Sequence, residues 1–413
     1  MPSNLNRYSL LVFLIVATAP RLALAQTNAC SKAAIERAAV DVADGRKTLL
    51  ALPLGEIGAG AGIVPPGGPD EITRMKDRLN TLVVAYMVCL PVQQTPDPER
   101  IQQDLSRLAH AFKLPPGRIK NEDLPKDFGK YGFELWFDVR ATKDSRRLVG
   151  ITASFSVQCA GDALLLIFSP GEATWQEVLR WQSKPYKQVG EALSSFQYGI
   201  SPPGETASWY VVAFFVSGWC SSTWSAINYS VLRPVPDAPR PKVIFAKSDS
   251  IWWGNEDFGK LIVDRQYFDL RFHAQSIDAG VHNRVFVRRY AVNGDVVHRI
   301  LPVAVSPRDF VDEWIVSSWE EAKSWSAPAD LQELKAMHEK LSNLQSDPKS
   351  ALEYVAVKRC TNSPRAFQVS VCPDDVTFYL RVETHPSLTM ISVKETPDPD
   401  CAGRNLLDDM ATK

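Results

Sequence analysis

The sequence predicts an α+β fold, in which an N-terminal helical region is followed by predominantly antiparallel β meanders. Three observations carry this expectation. Apolar residues recur at helical spacing up to about Phe112, the period changes to two from about Gly132, and the connections between apolar runs are too short for βαβ crossovers. The strand groups suggest tandem β-sandwich-like units, with a small β-propeller-like arrangement as the alternative. No sequence signature repeats at a fixed period, which favours the sandwich.

Residues 1–25 read as a signal peptide: Arg7 precedes the apolar run Leu10–Ala17, and Ala23-Leu24-Ala25 is a small-x-small cleavage site. The mature chain is expected to begin at Gln26 and to be secreted or periplasmic. Cys30 lacks the preceding pattern of a lipidated cysteine, and no later stretch reaches roughly 18 uninterrupted apolar residues, so no membrane anchor is expected.

Residues 26–117 form the helical region. Ser31–Ala43 is rich in alanine, and Ile72, Met75, Leu79, Leu82, Val83, Tyr86 and Leu90 recur at helical spacing. Asp97-Pro98 is an N-cap and first-turn proline ahead of Ile101, Leu105 and Leu108. The Gly58–Gly62 stretch lacks the strand before it and the helix after it that a nucleotide loop requires, so no cofactor is expected.

An antiparallel β domain is expected over 118–232. Phe133, Leu135, Phe137 and Val139 alternate with Glu134, Trp136, Asp138 and Arg140, and Val149, Ile151, Ala153, Phe155 and Val157 alternate with Thr152, Ser154, Ser156 and Gln158, so both runs read as half-buried strands. Trp209–Val216 is apolar on both faces. The proline-rich stretch 233–241 reads as a stiff linker to a second β unit at 242–346, which contains the Asn293-Gly294 hairpin signal, a tryptophan-rich segment and a capped helix at Asp330–Leu344. A C-terminal β segment, 347–413, completes the chain.

Composition bounds the function. With 413 residues, 45% of them hydrophobic, the chain has material for two or three domains, and a net charge of −1 supplies no overall attraction to nucleic acid. Seven cysteines in an exported chain suggest disulfides. Cys30 with Cys89 and Cys159 with Cys220 are the expected pairs, and among Cys360, Cys372 and Cys401 one bridge is possible, with Cys401 as a partner but the other half left open. No C-x-x-C or H-x-x-x-H pair supports a metal site.

Two clusters are candidates for chemistry. In the first, Asp309, Asp312 and Glu313 lie beside Trp314, with Trp319, Glu320, Glu321 and Trp325 close behind. Carboxylates next to indoles suit glycan recognition, and a pair of them suits glycoside hydrolysis. The same residues also suit a strand-to-helix connection, with acids at a helix N-terminus and the tryptophans plugging the end of a sheet, and that structural reading is favoured. In the second, Asp269, Arg271 and His273 share one face of a strand, and Arg288 and Arg289 follow on the next, which would make a small cationic surface; cross-strand ion pairing explains the same residues and is preferred. Trp219-Cys220-Ser221-Ser222 lacks the glycines of a nucleophile turn. The expectation is therefore an exported binding or structural protein, without catalysis, that recognises an extracytoplasmic protein or glycan. A glycosidase-type hydrolase using carboxylates of 309–321 is the alternative.

Overall fold

The computed structural model describes residues 30–54, 62–114, 125–204, 208–218, 224–236, 238–252, 259–274, 276–278, 284–300, 304, 306–347, 350, 352–373, 375–384 and 387–407. The expected signal peptide, the glycine-rich loop at 55–61 and the Trp219–Ser222 segment lie outside the described residues.

Three helices open the chain: α1 (Lys32–Leu50), α2 (Gly68–Val88) and α3 (Pro98–Leu108). Each start has a local cause. Ser31 Oγ accepts from Ala34 N–H, Pro69 with Asp70 and Glu71 occupies the first turn of α2, and Asp97 accepts from the N–H groups of Glu99 and Arg100. The Cys30–Cys89 disulfide ties the start of α1 to the end of α2 across 59 positions.

These helices pack on the β1–β4 end of an eight-stranded antiparallel sheet, made of β1 (Leu135–Ala141), β2 (Val149–Val157), β3 (Ala160–Pro170), β4 (Trp175–Gln182), β5 (Leu193–Ile200), β6 (Val211–Ser217), β7 (Trp224–Val235) and β8 (Ala238–Trp252). The order is β1-β2-β3-β5-β6-β7-β8, with β4 pairing β3 off this path. The expected half-burial of β2 is corrected, because all nine of its residues are buried. Its odd-numbered apolar residues share the helical core. Its other face is also covered, with Tyr198 of β5 lying over Gly150, where an added Cβ would meet the phenol.

The proline-rich stretch is not a linker. Val235 pairs with Ala238 and Arg233 with Lys242, so 233–241 is the tip of the β7–β8 hairpin. Proline lacks a ladder N–H, but β8 ends the sheet and tolerates Pro239 and Pro241 there; the register shifts at Arg233/Val235 absorb Pro234. The sheet consequently runs on to Trp252, beyond the boundary expected at residue 232.

A four-stranded meander follows: β9 (Lys260–Val263), β10 (Tyr267–Ala274), β11 (Arg284–Asn293) and β12 (Val296–Arg299). Gly294 turns the β11–β12 hairpin at φ 59°. Phe268, Leu270, Phe272 and Phe286 share a core with Tyr210, Val212, Phe214, Ile227 and Tyr229 of the large sheet.

The last part of the chain comprises α4 (Pro307–Val316), α5 (Trp319–Ala322) and α6 (Leu331–Ser346) against a second four-stranded meander, β13 (Leu352–Arg359), β14 (Ala366–Pro373), β15 (Phe378–Thr384) and β16 (Leu388–Lys394). One core unites Phe310, Trp314, Trp325 and Leu341 with Val369, Leu380 and Met390. The boundary expected at 346/347 is thus displaced: the tryptophan-rich helices belong with the C-terminal sheet. Cys360 and Cys401 form a disulfide there, which leaves Cys372 outside that bridge. Among the described residues the sheets are open, every strand ladder is antiparallel, and no helix is long and apolar enough to cross a membrane.

Candidate functional site

The tryptophan and acid segment folds as α4 and α5, not as the connection anticipated from sequence. Ser306 Oγ accepts from Asp309 N–H at 3.1 Å and Pro307 takes the first turn, which starts α4 and points Phe310, Val311, Trp314 and Ile315 into the core. Trp314 and Trp325 are enclosed, at 0% and 1% exposure. Trp314 Nε1–H donates to Ser326 Oγ at 2.9 Å, and the Arg299 guanidinium lies 4.7 Å from the Trp325 ring centroid. Trp319 is half-buried.

The carboxylates are turned inward with protein partners. Asp312, wholly buried, accepts from Ser276 O–H at 2.9 Å and Ile277 N–H at 2.9 Å. Glu313, also buried, accepts from Arg288 and Arg299. Asp309 sits in the first turn of α4 with Arg308 3.6 Å away.

The second cluster divides across the two faces of its sheet. Register sets Asp269 opposite Arg289, and the two form a bidentate pair at 2.6 and 2.7 Å. Arg271 is exposed on the Asp269 face, and the His273 side chain lies outside the described residues. Arg288 is opposite Leu270 and therefore points the other way, with its guanidinium 5.3 and 5.8 Å from the ring centroids of Phe286 and Phe272. The cross-strand ion pairing preferred from sequence is present between Asp269 and Arg289, while Arg288 does not join Asp269 and Arg271 in one surface, because adjacent strand residues face opposite sides.

Arg288 instead joins the two clusters. A chain of alternating charge runs from Asp249 on β8 to Arg288 on β11 (3.7 Å), Glu313 on α4, Arg299 on β12, Glu321 on α5 (3.5 Å from Arg299) and Lys247 on β8 (3.2 Å). Its central members Arg288, Glu313 and Arg299 are each at most 8% exposed. Burial opposes the Arg288 charge, yet Glu313 and then Asp249 outweigh it and raise its pKa. At one end the Tyr229 hydroxyl donates to Asp249 Oδ2 at 2.6 Å and lies 2.9 Å from the Tyr290 hydroxyl. Burial, followed by Tyr290 and Asp249, drives the Tyr229 phenol far above its ordinary range. Lys247, Asp249 and Arg299 sit at ordinary alternating strand positions, and nothing in their sequence context marked them.

A groove of about 640 Å³ opens beside this chain, between the end of α4, the start of α5 and α6. Ser317, Ser318, Trp319, His338, Glu339 and Asn343 contribute to its lining. His338 sits beneath, 4% exposed, with Nε2 3.0 Å from the Ser317 carbonyl and its ring edge-on to Trp314 at 4.9 Å. Burial pushes this imidazole below its usual range. His338 is the residue that sequence reasoning passed over; its place between Leu334 and Leu341 on the apolar face of α6 was the available signal.

Among the described residues no group of three or more His, Cys, Asp or Glu side chains is placed to hold a metal ion. Cys159 is disulfide-bonded, and its expected partner Cys220 lies outside the described residues. The Asn228-Tyr229-Ser230 sequon falls inside β7, where Asn228 Nδ2–H donates to Ser217 Oγ at 2.8 Å. No family model, no curated protein and no solved structure matches the chain.

Proposed function

We propose that this chain is an exported binding protein without catalytic activity, and that it takes an extracytoplasmic glycan at the Trp319 groove. The observation that carries the reading is the contrast among the three indoles of one segment: Trp314 and Trp325 are enclosed, while Trp319 remains half-open on a groove with hydroxyl and amide side chains. An indole face stacks on the apolar face of a pyranose, and neighbouring polar groups orient its hydroxyls. The hydrolytic alternative requires two carboxylates facing one cleft. Asp312 and Glu313 instead face Ser276 and two guanidiniums. In this reading the large sheet and the β9–β12 meander act as a sandwich-like support, on the strength of their common core.

The test is a panel of soluble oligosaccharides titrated against the full chain with tryptophan fluorescence as readout. Trp319→Ala should weaken binding by about tenfold or more, ~1.4 kcal/mol, with a nearly unchanged melting temperature. Equal affinity in the variant, or no binding by any saccharide, would remove the groove from consideration.

A further inference from the structure

Lys76 and Asp162 bring two charges into the N-terminal core where α2 packs on β3, with side chains only 1% and 0% exposed. Lys76 Nζ lies 3.1 Å from Asp162 Oδ2. Its other donors are held by Ser183, through the backbone carbonyl at 3.1 Å and the hydroxyl at 2.9 Å. The ammonium is thereby fixed in position against the carboxylate.

The two carboxylate oxygens keep different company. Oδ1 accepts from the Ala163 N–H and the Ser183 O–H, each at 2.7 Å. Oδ2 faces the Lys76 ammonium and the Tyr186 hydroxyl, which donates at 3.2 Å. Paired donors on Oδ1 are what an acyl oxygen needs when its carbon becomes tetrahedral. Proton donors around Oδ2 are what a departing oxygen needs. Transfer of one proton within the pair gives an amine and a carboxylic acid, and the neutral amine is the nucleophile.

We propose that Lys76 and Asp162 condense to an amide that links α2 covalently to β3. One Nζ proton passes to Oδ2, the freed nitrogen lone pair attacks Cγ to form the N–C bond, and Oδ1 carries the negative charge of the tetrahedral intermediate between Ala163 N–H and Ser183 O–H. The Cγ–Oδ2 bond then breaks, and the oxygen takes a second proton from Nζ. An ammonium and a carboxylate become one neutral amide and one water, so no oxidant, reductant or added reagent is consumed. Tyr186, protonated because burial beside Asp162 raises its pKa far above the ordinary phenol range, steadies the departing oxygen and ends the step unchanged. The amide N–H keeps the Ser183 carbonyl as its acceptor.

The experiment is mass spectrometry of the full-length folded chain after disulfide reduction, read against the sequence mass for its observed N-terminus. The wild type should be lighter by the mass of one water. A tryptic digest should yield peptide 75–78 joined to peptide 148–180 through Lys76 and Asp162, since an acylated Lys76 is no longer a cleavage site. Lys76→Arg, whose guanidinium does not condense here, should show the full sequence mass. Three results overturn the proposal: a wild type at its full mass with the two peptides recovered separately, a water loss with the peptides still separate, or a water loss that persists in Lys76→Arg. The wild-type measurement decides the question even if the variant fails to fold.

Discussion

Glu313 shows what a single side chain contributes when its surroundings are built around its charge. It is buried between Arg288 and Arg299, so its removal would leave two guanidiniums in the interior without their common acceptor. Breaking a buried pair by deleting one partner costs roughly 3 to 5 kcal/mol. Glu313→Ala is therefore expected to lower unfolding stability by about that amount in urea melts, whereas Glu320→Ala, at an exposed position next to the same segment, should change it by less than about 0.5 kcal/mol. Comparable losses for the two would show that the Arg288–Glu313–Arg299 cluster contributes little. His338 gives a second residue-scale expectation. Its imidazole is held below the ordinary value of 6.5 by burial, so the unfolded chain takes up the proton first as the pH falls. The stability contribution is complete above about pH 6.5 and is lost as pH drops through 6.5 toward the depressed folded value. The urea midpoint of the wild type should fall more steeply between about pH 7.5 and 5.5 than that of His338→Gln, and parallel pH profiles would exclude His338 as the cause.

Among the elements, α4 and α6 differ in how they begin. Ser306 caps α4 with a side-chain hydrogen bond, whereas Asp330 occupies the same place in α6 without one. Loss of a working N-cap costs on the order of 1 kcal/mol. Ser306→Ala should accordingly destabilise by about that much and Asp330→Ala by only a few tenths, with chemical denaturation as the measure. The same contrast explains what could be read from sequence. Asp330–Leu344 was legible as a helix because Leu334, Met337 and Leu341 recur at helical spacing, although the cap anticipated at Asp330 makes no bond. The α4 helix carried a better signal, Ser306-Pro307 followed by Asp309, but its ten residues are too few for periodicity to stand out from the acids and indoles around them. Where strands alternate cleanly, as at Phe268, Leu270 and Phe272, the buried face was legible; the second buried face of β2 was not, because β5 reaches it from far along the chain. The candidate site was legible in composition but not in orientation. Whether Trp319 or Trp314 faces outward depends on how α5 turns after α4, a tertiary fact that no local pattern encodes.

At the scale of the whole molecule, the segments join through shared cores and through one alternating chain of charge, so sequence punctuation misplaced the boundaries. Prolines at 234, 236, 239 and 241 resembled a linker but sit at a hairpin tip, where an edge strand accommodates missing N–H groups. Lys247 and Asp249 on β8, Arg288 and Arg299 on the following meander, and Glu313 and Glu321 on the C-terminal helices connect three parts of the chain that composition separates. Two of the disulfides act at the two ends of this arrangement, Cys30–Cys89 within the helical region and Cys360–Cys401 within the C-terminal unit. Their sequence separations, 59 and 41 positions, differ too little for loop entropy to distinguish them, and each constrains the unfolded chain by about 4 kcal/mol in the chain-entropy account. Replacing either pair by serine should therefore cost a similar amount of stability, ~3 to 4 kcal/mol, but in different places. Native-state hydrogen exchange should show lost protection in α1 and α2 for the first pair and in β13 to β16 for the second. Uniform loss across the whole chain in both variants would mean that the buried charge chain and the shared cores make the molecule a single cooperative unit, and the disulfides would then be read as supports of the whole and not of their own ends.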